Sequence, residues 1–321
     1  MEILRSIDTI PSNFNGSVAA IGNFDGVHLG HQKVFQATKE IANLSQAPSS
    51  VITFEPHPRE YFQPQSKQFR LTNSKSRAKE LESQGIDILF ELSFDSRLAN
   101  MSALEFINEL LHKTLQLSHV VVGKDFKFGN RRTGDYKMLE AQGKLLGIGV
   151  SSLELLQFDN TTCSSTLIRE AITKGEMKKA AQSLGRWFTI VGIVQSGYKR
   201  GRQLGYPTAN LNLERVIHPQ NGIYGVMVNV MTGPYIGRYK GVASIGTNPT
   251  FGVHNPNLET YLFDFDGDIY GEEIEVALIH YLRPEIKFET SEMLIDQMRV
   301  DCQNAQLVLG ENQLQLSLQN E

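Results

Sequence analysis

A chain of 321 residues exceeds the size at which one hydrophobic core stops growing, so two domains are expected. A net charge of −4 argues against a protein whose main task is gripping nucleic acid, and no apolar run approaches the roughly 20 residues that span a membrane. Two cysteines, Cys163 and Cys302, fit a reducing compartment, and Met1 to Pro11 lacks the apolar centre of a secretion signal, so the expected address is the cytoplasm.

The first apolar run, Val18 to Ile21, leads into a glycine-rich loop and then a helical pattern that places Val34, Ala37, Ile41 and Leu44 on one side. His28 and His31 stand three apart on the first turn of that helix, where unpaired N–H groups and the helix dipole favour negative charge. Gly26 and Gly30 leave room for a close approach and Asn23 adds an amide, so donors converge without an obvious nucleophile, which suits a phosphate. A surface histidine pair or part of a metal site is the competing reading, and no third ligand follows at the usual spacing. Val51 to Phe54 predicts a second strand, stopped by the prolines of Glu55-Pro56-His57-Pro58-Arg59. At the C-terminal end of a strand in an open α/β sheet, His57 and Arg59 face a ligand cleft; alternatively they flank a proline-fixed turn.

A helix over Ser74 to Ser83, a strand over Ile86 to Leu92 and a helix opening at Ser102 with a capping box to Glu105 continue the βα alternation. The strand His119 to Gly123 delivers Lys124 to Asp135, a loop of cations, glycines and two phenylalanines that reads as a nucleotide binder, a lid or a solvated turn. A helix over Tyr136 to Leu146 and a strand over Ile148 to Leu155 precede Ser164 to Glu170, where Ser165 is the expected N-cap. Ile168, Ala171 and Ile172 form one apolar side there, which leaves Arg169 on another face, as part of an anion site or of an ordinary capped helix. From Trp187 onward short β-rich runs follow one another: Phe188 to Val194, Gly222 to Met231, Lys240 to Ile245, Leu258 to Phe265 and Ile274 to Leu282. Their spacing predicts a small antiparallel barrel, with a domain boundary near Gly185 and a final helix, Ser291 to Leu309, packed across it. Gly197 to Asn210 combines glycines, cations and a proline, which fits a backbone wrapped around phosphates or a basic turn; it is neither a Walker loop nor a GxGxxG.

The string GNFDGVHLGHQ over Gly22 to Gln32 resembles the HxGH signature of nucleotidyltransferases. Together with Thr53 to Pro58, Val121 to Asp135, Ser164 to Arg169 and the GYPTAN of Gly205 to Asn210, it makes the chain similar over nearly its whole length to the bacterial bifunctional riboflavin kinase and FAD synthetase family. The resemblance implies an α/β nucleotidyltransferase (HxGH) domain with a parallel sheet over 1–185. A small antiparallel β-barrel riboflavin kinase domain with a C-terminal helix would follow over 186–321. It implies two reactions: ATP-dependent phosphorylation of riboflavin to FMN, and adenylylation of FMN by ATP to FAD with release of pyrophosphate. For the first, the resemblance gives Glu259 as general base, Thr208 and Asn210 as ligands of Mg²⁺ and phosphate, and Gly201, Arg202, Gly205 and Pro207 as further ATP contacts. For the second it gives His28 and His31 as catalytic and Gly22, Asn23, Phe24, Asp25, Gly30, Ser165, Thr166 and Arg169 as ATP contacts. His57, Pro58, Asp125, Phe126, Phe128 and Arg283 are implied as flavin contacts. The pattern departs at Lys124, where an acidic residue is frequent, and at Thr260-Tyr261, where Val-His is common. The partners are then small molecules, with no nucleic acid or membrane and the oligomeric state open. The rivals are a transferase of another phosphate with a non-catalytic β domain, an aminoacyl-tRNA synthetase, for which a KMSKS-like loop is missing, and a flavin-storage protein.

Overall fold

A computed structural model describes residues 1–7, 10–154, 157–158, 161–195, 205–213, 216–247 and 256–316 of the chain. It resolves into two compact units, residues 1–67 with 72–165 and residues 68–71 with 166–321.

In the first unit the strands are β1 (Glu2–Leu4), β2 (Val18–Ile21), β3 (Ser49–Glu55), β4 (Ile88–Ser93), β5 (His119–Gly123), the short hairpin β6 (Lys127–Phe128) and β7 (Gly134–Asp135), and β8 (Gly149–Leu153). Six of them form one sheet in the order β1-β4-β3-β2-β5-β8, and every pairing in it is parallel. A parallel sheet is covered on both faces, which is why β2 and β3 read as unbroken buried runs rather than as alternation. Alternate residues go to opposite faces. Ala19, Ile21, Ile52 and Phe90 pack with Phe106, Ile107 and Leu111, while Val18, Ala20, Val51 and Leu89 pack with Phe35, Ala42 and Leu81.

Helix α1 (Leu29–Leu44) buries Val34, Phe35, Thr38 and Ala42, so its inward stripe is rotated from the expected one and Leu44 stands 87% exposed. The helices α2 (Pro58–Phe62), α3 (Ser74–Ser83), α4 (Ser96–Asn100) and α5 (Ala103–Glu105) follow. The capping box of Ser102 and Glu105 opens α5 as expected, but the helix continues in π-helical form over Phe106–Thr114. Helix α6 (Tyr136–Leu146) precedes β8, and a two-stranded hairpin, β9 (Gln157–Phe158) and β10 (Thr161–Thr162), follows it. Strand order reverses between β2 and β5. The carboxyl ends of those two strands therefore form a topological switch point, the usual place for a ligand in such a sheet.

The second unit begins with α7 (Ser165–Thr173), of which Ser165 itself groups with the first unit, and α8 (Met177–Leu184). Its strands are β11 (Phe188–Ile193), β12 (Ala209–Asn212), β13 (Gly222–Val230), β14 (Gly237–Thr247), β15 (Pro256–Leu262) and β16 (Glu273–Arg283), followed by α9 (Ser291–Leu316). All pair antiparallel in the order β11-β16-β13-β14-β15-β12, and a bridge from Gln195 to Asn210 draws the two edges together into a nearly closed barrel. Phe188, Ile190, Val226, Val228, Val276, Leu278 and Leu258 fill it, and Ile168, Ile172 and Ala180 join the same core. Helix α9 lies over β13, where a Cβ added at Gly225 would meet Val308 at 3.2 Å. Ala209–Asn212 is a strand here, although its sequence reads as the end of a loop motif: four residues suffice because β15 supplies the pairing.

Candidate functional site

The first constellation is the loop between β2 and α1. Phe24 and Val27 are held at φ 47° and 44°, the left-handed region that non-glycine residues rarely occupy, so the surroundings must fix the loop. They do so on three sides. Asp25, buried, accepts through Oδ1 from Thr72 N at 3.1 Å; Gly26 N donates to Thr72 Oγ1 at 3.1 Å; and Thr53 Oγ1 donates to Asn23 O at 3.2 Å. Ser165 Oγ donates to Asp25 O at 2.9 Å. Ser165 is the first helical residue of α7 rather than its N-cap, so its hydroxyl fastens the loop instead of closing the helix.

His28 is the N-cap of α1, and its Nδ1 accepts from His31 N at 3.3 Å. An accepting Nδ1 assigns the neutral ring's proton to Nε2, which is left as the donor. The two imidazoles stack with centroids 3.5 Å apart, and Phe24 meets His31 edge-on at 5.2 Å. Gly30 lets this packing close up: a Cβ there would lie 3.1 Å from the His28 ring and 3.5 Å from Cys163 O, so the ring would have to give way by a few tenths of an ångström. Cys163, buried, places Sγ 3.9 Å from His28 Nδ1. Sequence reasoning missed Cys163 and Thr72. Neither stands in a motif, and only long-range contact brings them to the loop.

His57 and Pro58 open α2, at the end of β3. The His57 side chain caps it by accepting from Arg59 N, and Glu60 returns a bond to His57 N. Tyr61, Phe62 and Phe94 form an aromatic cluster beside them, with Phe62 63% exposed. Beyond β5, Asp125 is exposed, Phe126 and Phe128 stack at 5.3 Å, and Phe128 is buried against Phe106 as part of the core. A buried ion cluster missed by sequence reasoning ties β3 to β4: Arg77 of α3, fully buried, donates to Glu55 at 2.9 Å and to Glu91 at 3.0 Å, and Arg5 reaches Glu91 at 2.9 Å. Burial opposes ionisation of Glu91, but hydrogen bonds from Ser74, Arg5 and Arg77 outweigh it and hold the carboxyl below its ordinary range.

In the second unit, Thr166 and Arg169 lie on α7; Arg169 Nε donates to Phe69 O at 2.7 Å and its guanidinium stands 5.2 Å from the Phe69 ring centroid. The second constellation lies on the barrel. Asn210 of β12 and Glu259 of β15 are directly opposed in the antiparallel ladder, so their side chains share a face, as do Asn212 and Asn257. Asn210 Nδ2 donates to Thr208 O at 3.3 Å. Asn257 Nδ2 donates to Asn210 Oδ1 at 2.9 Å and lies 3.5 Å from Glu259 Oε1. Tyr206, before Pro207, meets Tyr261 edge-on at 5.2 Å. Gly205 has φ +84° with open space where a Cβ would go. Gly201 and Arg202, expected to bind ATP, lie outside the described residues.

Arg283, expected at the flavin, pairs with Asp301 of α9 through Nε at 2.8 Å and Nη2 at 2.6 Å, with Nη1 on Pro284 O. The bidentate pair fastens the last helix to the sheet. An open groove of about 450 Å³ between Gly175–Gln182 and Ile279–Tyr281 contains none of the expected site residues. Thr208 and Asn210 offer a hydroxyl and a carboxamide oxygen, hard donors suited to Mg²⁺, and Asn210 Oδ1 keeps a second lone pair beside the one Asn257 occupies.

The FAD synthetase family profile matches residues 10–167, and the riboflavin kinase profile matches residues 184–309. A bifunctional riboflavin kinase/FMN adenylyltransferase of Haemophilus influenzae is 36% identical over 305 residues, 95% of this chain and 98% of the relative. The protein of the same description from Escherichia coli is 35% identical over 311 residues, 97% of this chain and 98% of the relative. A solved structure from Streptococcus pneumoniae, described as a macrolide-efflux protein, superposes with a TM-score of 0.81 at 30% identity, covering 93% of this chain and 96% of that one. Among the described residues no helix is long and apolar enough to cross a membrane.

Proposed function

The chain belongs to the bifunctional riboflavin kinase/FMN adenylyltransferase family, and we propose that it runs its two reactions with separate residue sets, one in each half. It phosphorylates riboflavin with ATP and adenylylates the resulting FMN to FAD. The two steps demand different chemistry. An alcohol must lose a proton as it attacks the γ-phosphoryl group, whereas the phosphate of FMN is already an anionic nucleophile. A positioned base belongs to the kinase step, and charge stabilisation to the other.

For the kinase step, Glu259 takes the proton of the ribityl 5′-hydroxyl, and Thr208 and Asn210 hold the phosphate end of ATP. Thr208 and Asn210 would also hold Mg²⁺, which when bound would neutralise phosphate charge. Gly201, Arg202, Gly205 and Pro207 complete that ATP site in this reading. For the adenylyl step, the Nε2–H of His28, with His31 stacked on it, donates to the phosphate oxygens as charge builds on the leaving pyrophosphate. Gly22, Asn23, Phe24, Asp25 and Gly30 shape the loop, and Ser165 braces it through its hydrogen bond to Asp25 O. The assignment of Thr166 and Arg169 to the triphosphate rests on the family motif alone. His57, Pro58, Asp125 and Phe126 take the flavin side; Phe128 supports them from the core. The catalytic segments are taken as 1–185 and 186–321, in the cytoplasm.

One observation supports the split: the His28–His31 stack and the Asn210–Glu259 pair fall in different compact units. Variants His28→Ala and Glu259→Gln, each assayed separately for riboflavin to FMN and for FMN to FAD, test it. Each should lose one reaction and keep the other; a variant that loses both overturns the split.

A further inference from the structure

Asn257 lies two residues before Glu259 on β15, so the two-residue period of a strand puts both side chains on one face. Asn212 stands opposite Asn257, and Asn210 opposite Glu259. The orientation of the amides follows from their partners. Asn210 Nδ2 donates to Thr208 O at 3.3 Å, which leaves Oδ1 to accept from Asn257 Nδ2 at 2.9 Å. The same Asn257 nitrogen reaches Glu259 Oε1 at 3.5 Å. An amide nitrogen carries two hydrogens, one for each oxygen.

We propose that Asn257 is a positioning residue of the kinase reaction, whose single amide nitrogen holds Asn210 and Glu259 at a fixed spacing. This inference rests on the assignment of those two residues to the kinase site. A side chain that must hold one rotamer for the reaction bears an ordering cost at each turnover, and a fixed donor beside the carboxylate lowers it. A donor between two acceptors also relieves the repulsion between a carboxylate and a carboxamide oxygen. Asn257 thus prepares, before substrate arrives, the relation between the group that takes the proton and the group that holds the phosphate.

The test separates donation from packing by shape. Asn257→Asp preserves the side-chain outline but, ionised, replaces a donor by an acceptor beside Glu259. Asn257→Ala removes both. Asn257→Ser keeps one donor. Kinase kcat should fall by roughly 10- to 100-fold in the Ala variant, by more in the Asp variant and by less in the Ser variant. Riboflavin binding, read by flavin fluorescence with ADP in place of ATP, should stay within about 2-fold of wild type, and FMN adenylylation should be unchanged. An Asp variant that turns over as fast as wild type or faster than Ala, or a loss of riboflavin affinity that accounts for the rate loss, overturns the proposal. Undiminished kinase turnover in Glu259→Gln is a different failure: it removes the assignment beneath the proposal, whatever Asn257 does.

Discussion

The two constellations are held in place in contrasting ways. Around His28 the chain is fixed from many directions: Thr72 grips Asp25 and Gly26, Ser165 grips Asp25 O, Thr53 grips Asn23 O, and the histidine caps its own helix. Two residues in left-handed conformation survive there because so many bonds oppose their relaxation. The pair on the barrel is set by a ladder register and bridged by the amide of Asn257. The contrast follows the chemistry. A cradle that stabilises charge works by being rigid and complementary before the reaction, so it is built from backbone and caps. A base works by having one atom at one place, and a strand register with lateral support from a neighbouring amide serves that.

The largest expected effect comes from removing the base. Glu259→Gln keeps the side-chain shape but cannot accept the proton, and general-base catalysis is worth about 10² to 10⁴ in rate, so FMN formation should fall by that much while FMN to FAD continues. Rates measured separately on riboflavin and FMN check this. Next is the support of the first unit itself. Arg77→Met removes the buried one of the two cations on Glu91 and leaves Arg5, so the cost should approach but not exceed the about 3–5 kcal/mol of a broken buried pair, and thermal unfolding should show the first unit melting earlier. The pH dependence has a definite sign. Because the folded-state pKa of Glu91 lies below its ordinary value, its ionisation stabilises the folded protein above the ordinary carboxylate range. That contribution is lost as pH falls through the lowered folded value, so acid should weaken the first unit of the wild type more than that of Glu91→Gln.

His28→Ala removes one preorganised donor, which typically costs ~2.7 to 4 kcal/mol of barrier, so FAD formation should slow by about 10² to 10³ with FMN formation intact. Parallel loss of both reactions would mean that the rigid loop serves the barrel as well and would dissolve the contrast.

These cases also mark what the sequence could carry. Caps and strands set by local chemistry were legible: Ser74 to Ser83, His119 to Gly123 and Tyr136 to Leu146 match the observed elements end to end, and the capping box at Ser102 is present. The parallel α/β sheet and antiparallel barrel were legible through the family resemblance and the change of rhythm at Trp187. Elements decided by distant partners were not. β1 is a three-residue edge strand that exists because β4 pairs with it, β12 forms because β15 does, and the π-helical turns after Glu105 have no local sequence signal. The same holds at the sites. His28 and Glu259 stand in motifs, but Thr72, Cys163, Arg77 and Asn257 act through contacts across the fold, and only Asn257 left a trace, the i, i+2 spacing that puts it beside Glu259.

The smallest expected effect sharpens the comparison from the side of stability. Thr260 follows Glu259 and points the other way, into the barrel core, fully buried, with no hydrogen-bond partner for Oγ1 among the described residues. Valine has the same branched shape without the hydroxyl, and a buried unsatisfied hydroxyl costs about 1–3 kcal/mol. Thr260→Val should therefore stabilise the barrel by about 1 kcal/mol, read as a higher denaturant midpoint with an unchanged slope. Because the neighbouring Glu259 is held from the opposite face, by Asn257 and the ladder, kinase turnover should stay within about 2-fold. A turnover loss that accompanies the gain in stability would show that the base is positioned from the core side, and that the barrel site, like the phosphate loop, is fixed by the packing around it.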